Sequence, residues 1–153
     1  MNRIAHTLLA TVLVLLSGCR SFPLRGDTHE PVDQQVTVTG KDFMLRATDK
    51  IAWAEPVYNF DHTVAYAVKL DKNSEGWGPN SVTKITQKGI TDPFIASGEM
   101  TAGDVRFIMN VSDDGRKLRV MLQFEKVRKG SGMYGMRPVI LDTVTREITE
   151  SGF

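Results

Sequence analysis

The sequence predicts an all-β domain, a small antiparallel β-sandwich or partly closed barrel with at most one short helix. Three observations carry this. Several runs after residue 34 place apolar residues at every second position, and side chains at that spacing share a face only on a strand. Val, Ile, Thr and aromatic residues fill these runs, while Gly, Pro, Asp and Asn punctuate them. Cys19 is the only cysteine, so no disulfide within the chain can staple the domain and apolar burial must hold it.

The chain begins with a different pattern. Met1-Asn2-Arg3 supplies one positive charge and no acid, and Ile4 to Leu16 is apolar apart from His6, Thr7 and Thr11. That run falls short of the roughly 20 apolar residues a permanent membrane helix needs and has the length of an export signal. It ends in Leu16-Ser17-Gly18-Cys19, which resembles the bacterial lipobox. The resemblance implies a lipoprotein: thioether lipidation of Cys19, cleavage before it, and acylation of the new amino terminus with a chain such as palmitate. More than one acyl chain makes anchoring stable, where a single one is marginal. No Asp follows Cys19, since Arg20 and Ser21 stand there. The resemblance therefore implies sorting to the outer membrane, facing the periplasm.

The expected organisation is a signal peptide over 1–18, a lipidated amino terminus and flexible tether over 19–33, and a single β domain over 34–153. Ser21 to Asp33 holds two prolines, a glycine and alternating charges, with Phe22, Leu24 and Val32 as its sizeable apolar residues. Fully extended, it stands the domain off the membrane by about 40 Å. Arg25-Gly26-Asp27 matches an adhesion tripeptide, but it lies beside the lipid, and a solvated tether is the better account. The mature part loses only the charge of Arg3 and is near neutral, which argues against a nucleic-acid partner.

Gln35 to Thr39 is a short β-branched strand ended by Gly40, and Lys41 to Thr48 alternates Phe43, Leu45 and Ala47 with polar residues. Asp49 to Tyr58 is the place for a turn of helix before Pro56. Thr63 to Leu70 sets Val64, Tyr66, Val68 and Leu70 on one face, as a half-buried strand does. Asp71 to Pro79 is expected as an exposed turn carrying Trp77, and Ser81 to Gln87 as a weaker strand. The clearest element is a hairpin. Val105, Phe107, Met109 and Val111 form the core face of its first arm, and Leu118, Val120, Leu122 and Phe124 that of its second. Ser112 to Arg116 supplies the turn, with Gly115 at its left-handed position. Val139 to Ile148 is expected as a strand, with a helix as the alternative because Ile140, Val144 and Ile148 recur at spacing four. A membrane-embedded barrel is disfavoured, since Thr145, Glu147, Thr149 and Ser151 could not form a lipid-facing band.

Little in the sequence looks catalytic. Asp61 and His62 are neighbours, but adjacent strand residues point to opposite faces, and His62 reads as a solvated or hydrogen-bonded residue. His29 lies in the tether, no serine sits in a nucleophile elbow, and two separate mature histidines make a poor zinc site. No cofactor, metal or enzymatic activity is expected. Six methionines (Met44, Met100, Met109, Met121, Met133 and Met136) lie in the mature chain. Copper(I) is one use for their thioethers, and filling gaps in the core or an interface is the ordinary one.

Charge departs most from random. Arg116, Lys117, Arg119, Lys126, Arg128, Lys129 and Arg137 are opposed within their stretch only by Glu125. Such a stretch can steer a partner or touch anionic headgroups or peptidoglycan, and it can also simply solvate an edge strand. Arg116, Lys117, Arg119, Lys126, Arg128 and Lys129, the glycine-rich loop residues Met133, Tyr134 and Met136, and Trp77 are the candidate partner-binding residues, although a lone Trp packed against its own sheet is the stronger reading of Trp77.

The function these features predict is a non-catalytic lipoprotein of the outer membrane that docks onto a protein of an envelope or secretion-type assembly. The alternative is a periplasmic ligand-binding or inhibitor module for a small molecule, copper or a foreign enzyme. Shape separates them. A cavity lined by Met44, Met121 or Trp53 favours a ligand, whereas a filled core beneath an exposed apolar and basic patch favours docking.

Overall fold

The computed structural model describes residues 31–74, 76–125 and 134–150. Within them the chain forms three antiparallel sheets and no helix, and none of the sheets closes into a barrel. A hairpin of β1 (Gln34–Val38) and β2 (Lys41–Leu45) stands alone as a two-stranded sheet. The front sheet runs β3-β5-β6-β7, with β4 also on β5. Its strands are β3 (Ile51–Trp53), β4 (Val57–Tyr58), β5 (Val64–Asn73), β6 (Gly76–Thr86) and β7 (Gly89–Ala96). The rear sheet has the order β11-β10-β9-β8, from β8 (Asp104–Val111), β9 (Lys117–Glu125), β10 (Tyr134–Asp142) and β11 (Ile148–Glu150).

The two larger sheets face each other across one core. Val64, Tyr66, Val68, Leu70, Trp77, Val82 and Ile95 from the front meet Val105, Ile108, Val111, Leu118, Val120, Leu122, Val139 and Leu141 from the rear. A second cluster lies on the outer side of the front sheet. There Val36, Val38 and Leu45 of the hairpin cover Ala65, Ala67 and Ile85. Strand β5 is thus buried on both faces rather than half-buried, and the small Ala65 and Ala67 let the hairpin come close. Thr39 and Gly40, both at positive φ, close that hairpin between the paired Val38 and Lys41, as a two-residue turn of the primed type requires.

Several local expectations give way. The helix over Asp49 to Tyr58 does not form. Its residues become β3 and β4, two short pieces on β5 interrupted at Pro56, since the residue before a proline is held extended. Strand β2 ends at Leu45 because the Ala47 amide donates to Asp33 Oδ1 at 2.8 Å instead of to a ladder. The exposed turn over 71–79 is instead the end of a long hairpin, in which Lys72 pairs with Trp77 and Asn73 with Gly76. Strand β7, at the edge of the front sheet, has no counterpart among the expected elements, and Pro93 sits within it as edge strands allow. The strand expected over Val139 to Ile148 is two strands. Asp142 Oδ1 accepts from the Val144 and Thr145 amides at 2.8 and 2.9 Å and turns the chain between them.

Bulges set two facings that strict alternation does not give. Leu70 pairs with Pro79 and Lys69 with Ser81, which leaves Asn80 as an extra residue. An extra residue inverts the facing of its neighbours along the strand, so Trp77 turns inward and is only 8% exposed. Strand β8 bulges twice, at Arg106 and at Met109. Its buried residues are therefore Val105, Ile108 and Val111, at spacing three. Phe107 lies opposite Met121 on the outer face, and Met109, expected in the core, is 37% exposed.

The turns 39–40, 59–63, 87–88, 112–116 and 143–147 gather at one end of the sandwich, here the upper end. The residues that lead into β1 sit at the lower end, where Asp33 pairs with Arg46 at 2.6 Å.

Candidate docking surface

The candidate residues do not form one patch. Cys19, Lys126, Arg128, Lys129, Met133 and the Tyr134 side chain lie outside the described residues. Trp77 is in the core, with Lys72 Nζ 5.9 Å above its ring and its carbonyl accepting from Arg106 Nη1 at 3.1 Å. Burial pushes the Arg106 guanidinium below its ordinary value. Arg116 belongs to the upper turn. Arg137 faces inward at the lower end of β10, 5.9 Å from the Phe124 ring and 3.3 Å from Glu150. What does come together is Lys117, Arg119 and Met136, on the outer face of the rear sheet.

The register defines that face. Leu118, Val120 and Leu122 are fully buried, so Lys117, Arg119, Met121 and Gln123 point the other way. Asp142 lies opposite Lys117, while Asn110 and Ile140 flank Arg119. Phe107 and Pro138 flank Met121, and Asp104 and Met136 flank Gln123. The centre is thus an apolar row of Phe107, Met121, Pro138 and Ile140. Cations stand at its upper edge, and Met136, 54% exposed, stands toward its lower edge. Among the described residues no element covers this face.

The turn above this face is fixed by its neighbours. Asn59 Nδ2 donates to the Asp113 carbonyl at 2.9 Å, Tyr66 Oη to that of Gly115 at 2.7 Å, and the Thr143 amide to that of Arg116 at 2.8 Å. Gly115, at φ 70, packs so closely that a Cβ there would lie 2.4 Å from Val64 Cγ1. Ser112 and the Arg116 amide hold the Asp114 carboxyl below its usual range. Desolvation raises the Tyr66 hydroxyl.

Asp61 and His62 make no pair. Asp61 Oδ1 accepts from the Thr63 hydroxyl and amide and from Asn59, which lowers its pKa, and the His62 ring stacks on Tyr58 at 4.6 Å. Met44, 41% exposed, sits on the hairpin, Met121 on the rear face, and Trp53 against the hairpin cluster. These three share no cavity. A hollow between the Ser81 and Val105 strands offers about 10 Å³, room for about one water. Among the described residues no group of three or more His, Cys, Asp or Glu could hold a metal ion, and no helix is long and apolar enough to cross a membrane.

Phe107, Pro138 and Ile140 are not legible as surface residues in the sequence. Simple alternation assigns Phe107 to the core, and the hidden signal is the pair of bulges. Phe60, 87% exposed in the turn between β4 and β5, is a lone aromatic with no pattern around it to mark it.

No family model matches the chain, and neither the curated proteins nor the solved structures contain a match. The class that fold and surface define is a small all-β module with a filled core and an exposed face suited to protein contact. The mature domain has no identified family.

Proposed function

We propose that this protein is a non-catalytic lipoprotein, anchored through Cys19 in the outer membrane and facing the periplasm, whose rear face docks onto a protein of an envelope or secretion-type assembly. One observation carries the reading. The outer side of the front sheet is covered by the chain's own hairpin, while the outer side of the rear sheet presents Phe107, Met121, Pro138 and Ile140 beside Lys117 and Arg119 with no described element over them. Apolar centres with adaptable methionine and an arginine are the composition of docking surfaces. The filled interior and the separation of Met44, Met121 and Trp53 remove the main support for a ligand cavity.

The test uses the full-length chain. Radiolabelled palmitate is expected to enter the wild type and not Cys19→Ser. In gently solubilised envelopes the wild type is expected to run in a complex on native gels. Ile140→Glu with Met121→Lys is expected to release it as free lipoprotein with an unchanged melting curve. An unchanged complex in the double variant would remove the rear face as the docking site, and an unlabelled wild type would remove the anchor.

A further inference from the structure

Strands β7 and β8 have eight residues each, and each forms an outer edge of its sheet. A long edge strand offers unpaired amides and carbonyls to any strand that meets it. Strand β8 carries two bulges, which spoil it as a template. Strand β7 is protected in another way. Phe94 and Ala96 stand two apart, so their backbone groups point to the same side of the strand, and both are met by side chains. The Ala96 amide donates to Glu99 Oε2 at 2.8 Å, and the Glu99 amide donates to the Ala96 carbonyl at 3.1 Å. The Phe94 carbonyl accepts from Arg146 Nη2 at 2.7 Å. Arg146 Nε lies 3.2 Å from Glu99 Oε1, which joins the two side chains into one cap. Pro93, between them and the start of the strand, has no N–H to offer.

Arg146 comes to this contact from the turn between β10 and β11 of the other sheet. Its φ is 64, a left-handed conformation that glycine takes freely and arginine seldom does. All three guanidinium nitrogens are used, because Nη1 donates to the Thr143 carbonyl at 2.8 Å. The guanidinium carbon lies 4.4 Å from the centre of the Phe94 ring. A solvated arginine needs neither that backbone nor those partners. We propose that Glu99 and Arg146 form an autoinhibitory cap on β7, holding the backbone positions that β7 of a second copy would otherwise take. The carboxylate stands where a strand's carbonyl would accept, and the guanidinium where its amide would donate. A second copy is the occupant kept out, because antiparallel pairing of one edge with itself closes about a two-fold axis and gives both copies the same hydrogen bonds. Ile90, 42% exposed on the same strand, would add apolar contact once the edge opened. The cap sits on the front sheet and does not involve the rear face, so it stands apart from the docking reading.

The test uses the full-length chain in mild detergent, with particle size followed by sedimentation over a range of concentrations. Glu99→Ala is expected to associate beyond the wild type, gaining concentration-dependent protection from hydrogen exchange within residues 89–96. Glu99→Arg combined with Arg146→Glu keeps opposite charges together but leaves the Ala96 amide without an acceptor and the Phe94 carbonyl without a donor. It is expected to associate as well. Glu99→Gln keeps an acceptor for the Ala96 amide and is expected to retain the wild-type size. So is Glu150→Ala, which breaks the exposed pair with Arg137. Wild-type size in Glu99→Ala and in the charge exchange, with unchanged melting curves, would overturn the cap. Association that protects amides outside β7 would overturn it too. Should these variants unfold, the wild type decides. Its Ala96 amide is expected to exchange about tenfold or more slower than an open-chain amide, and exchange at the open-chain rate would remove the cap.

Discussion

The two outer faces of the sandwich differ in side-chain size before they differ in anything else. The front sheet turns Ala65, Ala67 and Ile85 outward, and the β1–β2 hairpin closes over them with Val36, Val38 and Leu45. The rear sheet turns Phe107, Met121, Pro138 and Ile140 outward, with Lys117 and Arg119 among them, and nothing described lies on top. Small residues let a second layer of the same chain pack at close range. Large, adaptable residues beside long cations make a surface that can fit a separate molecule and still stay soluble. The covered face therefore belongs to stability, and the open face is the one proposed for recognition.

Substitutions on the covered face should cost the most. Ile85→Ala removes a fully buried side chain and is expected to lower stability by about 2–5 kcal/mol, read from urea melts. A loss as small as that of a surface residue would mean that the hairpin is not a fixed layer. Next comes the frame that joins the faces at the upper end. Asn59→Ala strips the Val64 amide and the Asp113 carbonyl of their partner and is expected to cost about 1–3 kcal/mol. Gly115→Ala places a Cβ against Val64 at a positive φ and falls in a range of about 1–3 kcal/mol.

Acid tests the same frame. Asp61, Asp114 and Asp142 are held below their ordinary values by hydrogen bonds from Thr63, from Ser112 and from the Thr145 and Val144 amides respectively. A depressed folded pKa contributes stability that is complete above the unfolded value of about 4 and is lost as pH falls below it. The melting temperature should therefore drop on acidification through that window, and the drop should be shallower in Asp114→Asn. The smallest effect belongs to the open face. Met136→Ala, at a side chain 54% exposed, should change stability by less than about 0.5 kcal/mol while weakening the complex on native gels.

The all-β class, the β8–β9 hairpin and its glycine turn follow from alternation and turn chemistry, and the structure has them. Facing was harder. Alternation predicts the correct side only while register is unbroken, and Asn80, Arg106 and Met109 each break it. That is why Phe107 and Met109 read as core and are not, and it is how Trp77, a docking candidate whose stronger reading is packing against its own sheet, comes to be buried there. The second layer over β5 was hidden for another reason, since alanine is ambiguous and only its tertiary neighbour makes it core. Of the basic stretch, Lys117 and Arg119 share a face, whereas Arg116 and Arg137 are carried elsewhere by a turn and by strand parity. Asp33 and Arg46 show that the expected tether is already tied to the domain at its last residue.

The most direct measurement is photocrosslinking in intact cells with one probe at Met136 on the open face and another at Met44 on the hairpin. Both side chains are exposed to a similar degree, at 54% and 41%, so access alone does not separate them. A discrete protein adduct at Met136 and none at Met44 is the expected result. Equal adducts at both positions, or an adduct only at Met44, would contradict the assignment of recognition to the rear face.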